Sequence, residues 1–182
     1  MEFISTGFNG LFEIIPKKYG DGRGYFFESF HRDRFKENGI NFEVAQVNQS
    51  LSSAGVVRGL HLQLPPFAQA KLVRVISGEV LDIVVDVRPS SETYGKHFSC
   101  LLNSEKNNIL YVPKGFAHGF ISRKETVFQY LVDEVYNREY ERGIQWNDPE
   151  LGIDWQISSP VVSEKDQGLP TFEEFKRINT FT

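Results

Sequence analysis

Lys71-Leu72-Val73-Arg74-Val75-Ile76-Ser77 and Val80-Leu81-Asp82-Ile83-Val84-Val85-Asp86-Val87-Arg88, parted by Gly78-Glu79, decide the fold. Both runs are short and rich in Val, Ile and Leu, which is how strands read. In the second run Leu81, Ile83, Val85 and Val87 point one way, while Asp82 and Asp86 point the other. One side is apolar and the other carries a few polar groups. A barrel whose interior holds a ligand needs such a polar minority among apolar neighbours.

The same pattern extends in both directions. Upstream, Leu11–Ile15, Gly24–Phe30, Phe42–Ser50 and Val56–Gln63 read as strands separated by Gly, Pro, Asn and Ser. Downstream come Phe98–Leu102, Asn108–Val112, Ala117–Ser122 and Thr126–Tyr136. Alternation places Gln46, Asn48 and Ser50 on one face of their strand, and His61 and Gln63 on one face of theirs. Two short helices are expected. Arg32–Asn38 stops at Gly39, a suitable C′ residue, and Phe172–Ile178 follows Thr171 with Glu174 three residues on, a capping box. Many short strands without long helices between them predict an all-β sandwich or jelly-roll barrel with short peripheral helices. With no repeat, low-complexity tract or linker, residues 1–182 read as a single domain.

The 182 residues suffice for one well-buried core and not for two comfortable ones. A net charge of −4 gives no reason to expect nucleic acid or an anionic membrane as partner. Cys100 is the only cysteine, so an intrachain disulfide and a cysteine-based zinc site are both excluded. Met1 to Gly10 lacks the basic segment and apolar run of a signal peptide. Apolar runs such as Val80–Val87 are far shorter than a bilayer is thick. The expectation is a soluble protein of the cytoplasm.

Two motifs could carry chemistry. The first is Arg58-Gly59-Leu60-His61-Leu62-Gln63, followed by Lys71. Alone, a mid-strand histidine reads as a satisfied core or surface residue at least as readily as a catalyst. The second is Pro113-Lys114-Gly115-Phe116-Ala117-His118-Gly119-Phe120, which places His118 where a loop enters a strand. Its Pro-x-Gly-x-x-His spacing resembles the second motif of cupins, small jelly-roll barrels whose pocket often holds a metal, so the expected barrel is cupin-like. Metal-binding cupins resemble one another in supplying two His and a Glu from the first motif. Here His61 is followed by Gln63 where the second His would fall. Two imidazoles and an amide make a poor site for zinc or iron, and a Lys71 cation would repel one. No metal and no cofactor are expected.

A metal-free pocket with His, Lys and Tyr suits proton abstraction beside a ketone. An imidazole can take the proton, a lysine ammonium in a dry site can steady the enolate, and a tyrosine hydroxyl can donate from the opposite face. Tyr130 shares the parity of Phe128 and Val132, so it reads either as a core tyrosine or as that acid.

Further blocks follow in order. They are Asp21-Gly22-Arg23-Gly24-Tyr25-Phe26-Phe27-Glu28, Gln46-Val47-Asn48-Gln49-Ser50, Lys71-Leu72-Val73 and Gly78-Glu79-Val80-Leu81-Asp82. After them come Thr93-Tyr94-Gly95, Trp146-Asn147-Asp148-Pro149, Leu151-Gly152-Ile153-Asp154-Trp155 and Ser163-Glu164-Lys165-Asp166. Together with both motifs and Tyr130, the series resembles the dTDP-4-dehydrorhamnose 3,5-epimerase family from about Gly10 to Asp166.

That resemblance implies roles. His61 would be the base, oriented by Asp166. Lys71 would steady the enolate, and Tyr130 would reprotonate from the other face. His118, paired with Asp82, would contact the sugar. Arg23, Glu28, Gln46, Asn48, Arg58, Glu141 and Lys165 would hold the nucleotide and its pyrophosphate, with Tyr136 stacked on the thymine. The substrate would be dTDP-4-dehydro-6-deoxy-D-glucose, inverted at C3 and C5 on the way to dTDP-L-rhamnose. A homodimer would form through the aromatic strand near the N-terminus.

Leu131 and Val135 stand where the family commonly has Lys and Tyr, which touches ring stacking and substrate fit. Strand parity sets Arg58 opposite His61 unless Gly59 marks a bulge. The competing functions are a single-carbon epimerase of a related nucleotide-linked keto sugar, a 3,4-ketoisomerase, and a non-catalytic cupin that binds sugar nucleotides.

Overall fold

The short apolar runs pair into two sheets laid face to face. The structure is a computed structural model that describes residues 1–181; Thr182, the last residue of the expected 1–182 domain, lies outside the described residues. The chain begins with β1 (Glu2–Ser5), β2 (Phe12–Ile15), β3 (Tyr19–Asp21), β4 (Gly24–Phe26) and α1 (Arg32–Glu37). Next come β5 (Gln46–Ser52), β6 (Val56–Gln63), β7 (Lys71–Ser77), β8 (Glu79–Asp86) and β9 (His97–Asn103). The series ends with β10 (Ile109–Val112), β11 (Phe116–Ser122), β12 (Thr126–Val132), β13 (Glu141–Gly143), β14 (Val161–Val162), α2 (Glu164–Gln167) and α3 (Phe172–Lys176).

The first sheet runs β1-β2-β10-β7-β12-β5 and the second β13-β6-β11-β8-β9, with β14 added parallel to β6. β3 and β4 form a separate hairpin. Strands distant in sequence lie side by side, as β2 with β10 and β6 with β11. Crossing connections between two antiparallel sheets make a jelly roll. The fold is the expected all-β, cupin-like barrel with short peripheral helices.

Alternation along β8 shows how the core is layered. Val80 and Val84 face inward with Val73, Val75, Leu102, Leu110, Phe116, Phe120 and Phe128, which come from both sheets. Asp82 shares that inward face and is fully buried. Leu81, Ile83 and Val85 face outward beneath Ile144, Leu151, Trp155, Phe172 and Phe175. The C-terminal segment thus covers the second sheet. Residues 35–42 cover part of the first, where Phe35, Ile40 and Phe42 pack on Ile14, Leu72, Ile109 and Tyr111. Each buried large apolar side chain contributes about 1.5–3 kcal/mol, so the outer layers add to what the barrel interior supplies.

Both expected helix ends are present. Gly39 at φ +76° lets its own N–H reach Lys36 O and that of Ile40 reach Phe35 O, which closes α1. At α3 the Thr171 hydroxyl accepts from Glu174 N–H while the Glu174 carboxylate accepts from Thr171 N–H. No helix among the described residues is long and apolar enough to cross a membrane.

β6 and β7 have the expected bounds, while several other elements differ. The strand expected over Gly24–Phe30 ends at Phe26, because Phe30 turns in against Phe35 and Phe42 at ring-centroid distances of 4.9 and 6.0 Å. Phe42 is buried in that same cluster, and the strand expected from it begins only at Gln46. The expected Thr126–Tyr136 strand stops at Val132, beyond which the Asp133 carboxylate accepts Ala70 N–H at 2.7 Å and the chain turns away. β1, β3, β13, β14 and α2, of two to four residues each, are not among the expected elements.

Candidate active site

The register between β6 and β11 slips by one residue: His61 pairs with His118, but Arg58 pairs with Phe120. The extra residue falls at Gly59-Leu60, a bulge in β6. Gly59 has φ +129°, and a Cβ there would lie 2.6 Å from Gly119 Cα and 2.9 Å from His118 O. Only glycine fits so close to the neighbouring strand. The bulge offsets strand parity, so Arg58 and His61 both line a cleft of about 510 Å³ within the barrel.

The Nε2 of His61 lies 2.7 Å from Asp166 Oδ1. Asp166 belongs to α2, whose N-cap hydroxyl on Ser163 accepts Asp166 N–H at 3.1 Å. Its second carboxylate oxygen accepts Gly59 N–H, also at 3.1 Å, so one carboxylate holds both the imidazole and the bulge. Burial works to raise the Asp166 carboxyl, but hydrogen bonds from His61 and Gly59 and the Lys165 charge hold it below the ordinary range. An ionised carboxylate only accepts. In the neutral ring, therefore, Nε2 carries the hydrogen and Nδ1 keeps its lone pair.

A second such pair stands beside the first. His118 Nε2 lies 3.0 and 2.9 Å from the two oxygens of Asp82. Burial pushes the Asp82 carboxyl up, against the opposing charges of His118 and Lys71. Lys71, from β7 of the first sheet, is 8% exposed and donates to His61 O at 3.1 Å. Burial lowers its ammonium to about 8, although Asp82 and Glu141 oppose the shift.

Tyr130 comes from β12 in the first sheet, while His61 comes from β6 in the second, and both line the cleft. Burial raises the Tyr130 hydroxyl, with Arg58 opposing and Glu141 adding. Beside Tyr130 the Phe120 and Phe128 rings stack at 4.3 Å and form an apolar wall.

At the mouth, Gln46 donates to Asn48 Oδ1 at 2.7 Å and accepts Tyr136 N–H at 2.9 Å. The Tyr136 hydroxyl donates to Glu141 at 2.9 Å, and Lys165 lies 2.6 Å from the other Glu141 oxygen. Burial works to raise Glu141, yet Lys165 and Tyr136 keep it below the ordinary range. Arg58 is aimed by Ser52 Oγ at 2.9 Å and Leu51 O at 3.2 Å. The cleft can therefore present a cationic and hydrogen-bonding mouth, with Arg58, Lys165 and an exposed Tyr136 ring, above a drier floor of paired imidazoles. Such a mouth suits a nucleoside diphosphate, and such a floor suits proton transfer.

Eleven of the thirteen residues expected in the site line this cleft: His61, Lys71, Tyr130, Asp166, Gln46, Asn48, Arg58, His118, Tyr136, Glu141 and Lys165. Arg23 and Glu28 do not. Arg23 is exposed at the hairpin turn and bound to Asp21, and Glu28 lies 2.9 Å from Arg34. Among the described residues no group of three or more His, Cys, Asp and Glu could hold a metal. The Gln63 amide, at the position of a second histidine, is taken up by main-chain partners.

A family profile described as dTDP-4-dehydrorhamnose 3,5-epimerase matches residues 5–174. The chain belongs to that family. A dTDP-4-dehydrorhamnose 3,5-epimerase of Sinorhizobium fredii is 48% identical over 177 residues, covering 96% of this chain and 91% of the relative. The crystal structure of the Elizabethkingia anophelis enzyme of that name superposes with a TM-score of 0.93 at 44% identity, covering 96% of this chain and 97% of that one. A Legionella pneumophila epimerase, solved in complex with dTDP-4-keto-L-rhamnose, gives a TM-score of 0.90 at 40% identity, covering 94% and 93%.

For this family member, motif reading left some lining residues out. Phe128, which shares the parity of Tyr130 on β12, and Phe120, the last residue of the second motif on β11, form one wall. Gln49 and Ser163 fall within blocks of the family resemblance but take no role from it, and Gln69 lies in none of those blocks. Ser163-Glu164-Lys165-Asp166, taken without the family, reads as a solvated turn. It is instead a capped helix that buries Asp166 to 4% exposure.

Proposed function

We propose that this chain epimerises dTDP-4-dehydro-6-deoxy-D-glucose at C3 and C5 to give dTDP-4-dehydro-L-rhamnose. Family membership supports the reaction class. One observation carries the mechanism: a carboxylate-held imidazole and a tyrosine hydroxyl line one cleft from opposite sheets, with a buried lysine in the same cleft.

In this reading Nδ1 of His61 takes the proton from the carbon beside the C4 ketone, and the electron pair moves onto the ketone oxygen. Asp166 stabilises the imidazolium so formed. The Lys71 ammonium stabilises the enolate oxygen, an interaction stronger here than in water because the site is dry. Tyr130 then donates its proton to the opposite face of the same carbon, which inverts it. Proton exchange with water returns the imidazolium and the tyrosinate to their starting states. Repetition at the second carbon flanking the ketone completes the double inversion. Arg58 and Lys165 meet the pyrophosphate, Gln46, Asn48 and Glu141 order the mouth, Tyr136 stacks on the base, and His118 contacts the sugar. No step calls for a metal or cofactor.

Product analysis by proton NMR tests the assignment. Inversion at both carbons is expected. Inversion at one alone makes this a single-carbon epimerase, and bound but unchanged substrate makes it a binding protein.

We also read the protein as a homodimer of the cytoplasm. Tyr25 and Phe26 are 58% and 66% exposed on the β3–β4 hairpin, and Val47 and Leu51 are exposed on the edge strand β5. Such surfaces invite pairing. Arg23 and Glu28, which do not reach their own cleft, would then complete the partner's. A buried area of roughly 1,000 Å² or more per subunit is expected. Phe26→Asp should weaken dimerisation and nucleotide binding together, and a fully active monomer in sedimentation at micromolar concentration would overturn the pairing.

A further inference from the structure

The Tyr136 ring stands on a stretch of chain that belongs to no sheet. Past Val132 the main chain leaves β12, and among the described residues no hydrogen bond joins the main chain of 134–136 to another main chain. Side-chain amides take over. Gln69 donates to Glu134 O at 2.7 Å and Gln63 donates to Val135 O at 3.2 Å. Gln46 accepts from Tyr136 N–H at 2.9 Å, and Gln63 accepts from Asn137 N–H at 2.6 Å. Four consecutive residues are thus each held by a glutamine, and Gln63 holds two of them.

Gln63 is suited to the task. It ends β6, two residues beyond His61, and it is 3% exposed at the cleft wall. Its amide nitrogen also donates to Phe67 O at 2.7 Å, so both of its hydrogens and its oxygen have protein partners. A side chain engaged in this way has no donor left for a ligand. What it fixes is the distance between a rigid strand and the 135–137 main chain. That main chain aims the Tyr136 ring, whose hydroxyl in turn meets Glu141.

We propose that Gln63 is a positioning residue for nucleotide binding. It holds the 135–137 main chain, and through it the Tyr136 ring, at the mouth of the cleft. The proposal rests on the dTDP-sugar reading of that cleft. Gln63 acts on how tightly the nucleotide end is bound, whereas the chemical step belongs to His61, Lys71 and Tyr130. A contact whose loss raises KM with kcat kept is one made equally in the ground and transition states.

Calorimetric titration with dTDP, in a double-mutant cycle, tests this. Gln63→Leu should weaken dTDP binding about tenfold, because Val135 O and Asn137 N–H lose buried partners and the segment loosens. In turnover, KM should rise about as much while kcat changes by less than about threefold. With Tyr136→Ala already present, Gln63→Leu should cost less than about twofold in affinity, because its effect runs through that ring. A general loss of stability would weaken binding equally in both backgrounds, and that additivity would overturn the proposal. So would unchanged dTDP affinity. If Gln63→Leu does not fold, Gln63→Glu keeps an acceptor for Asn137 N–H and loses the donation to Val135 O. About threefold weaker binding that again vanishes with Tyr136→Ala supports the proposal, and unaltered affinity overturns it. Failure of the unaltered chain to bind dTDP would overturn the nucleotide reading itself, and the positioning role with it.

Discussion

His61 and Asp166 are 105 residues apart in the chain, yet Nε2 of one lies 2.7 Å from Oδ1 of the other. The contact exists because α2 is capped by Ser163 and turned so that its only buried residue faces the bulge in β6. With Asp166→Asn the ring keeps a polar neighbour but loses the charge that stabilises an imidazolium and selects its tautomer. Initial rates at saturating substrate should fall by about 10²-fold or more. A kcat within threefold of the unaltered protein would remove Asp166 from the mechanism.

Lys71 predicts an alkaline limb. Burial, opposed by Asp82 and Glu141, brings its ammonium down to about 8, so the cation that the proposed mechanism sets against the enolate is present below that pH and lost above it. The rate should therefore decline as pH rises through about 8, approaching tenfold per unit once the neutral amine dominates. Lys71→Arg, slower but permanently charged, should flatten that limb. A profile for the unaltered protein that stays level to pH 10 would show that Lys71 does not act as the cation.

Gly59 links stability to the site. A methyl group there meets backbone on the adjacent strand at 2.6 and 2.9 Å, at a φ that side chains avoid. Gly59→Ala should destabilise the fold by about 3 kcal/mol or more, read as a lower midpoint in urea. A loss under about 1 kcal/mol would mean that the bulge tolerates a side chain, and with it that the placement of Arg58 beside His61 is not fixed.

Exhaustive chelation should leave activity intact. His61 and His118 are each held by a carboxylate, Gln63 is engaged by main chain, and Lys71 adds a buried cation nearby. That donor set repels a divalent metal more than it gathers one. Loss of activity with EDTA, restored by one added metal, would reject the metal-free mechanism.

The barrel and the face of each long strand could be read from the chain itself. Asp82 was expected opposite Leu81, Ile83 and Val85, and it lies inside the barrel while they lie beneath the C-terminal segment. His61 and Gln63, and Gln46 with Asn48, share the faces that alternation assigned, and all four line the cleft. Asp166 could not be found by periodicity, because a four-residue helix shows no repeat. Only the family resemblance pointed to it. Strand ends failed where aromatic packing overrode alternation, as at Phe30 and Phe42, and where side-chain amides replaced the ladder, as at residues 134–137. Arg23 and Glu28, expected in the site from the family resemblance alone, lie outside this cleft, against Asp21 and Arg34.

Heavy-water exchange tests the two-face mechanism most directly. The dTDP keto sugar is incubated with the protein in deuterated buffer, and label at C3 and C5 is read by NMR beside net inversion. The unaltered protein should label both carbons and invert both. His61→Ala should lose exchange at both by about three orders of magnitude or more. Tyr130→Phe should retain exchange, because the base still removes the proton, while net inversion falls. Parallel loss of exchange and inversion in both variants would contradict a base and an acid acting from opposite sheets.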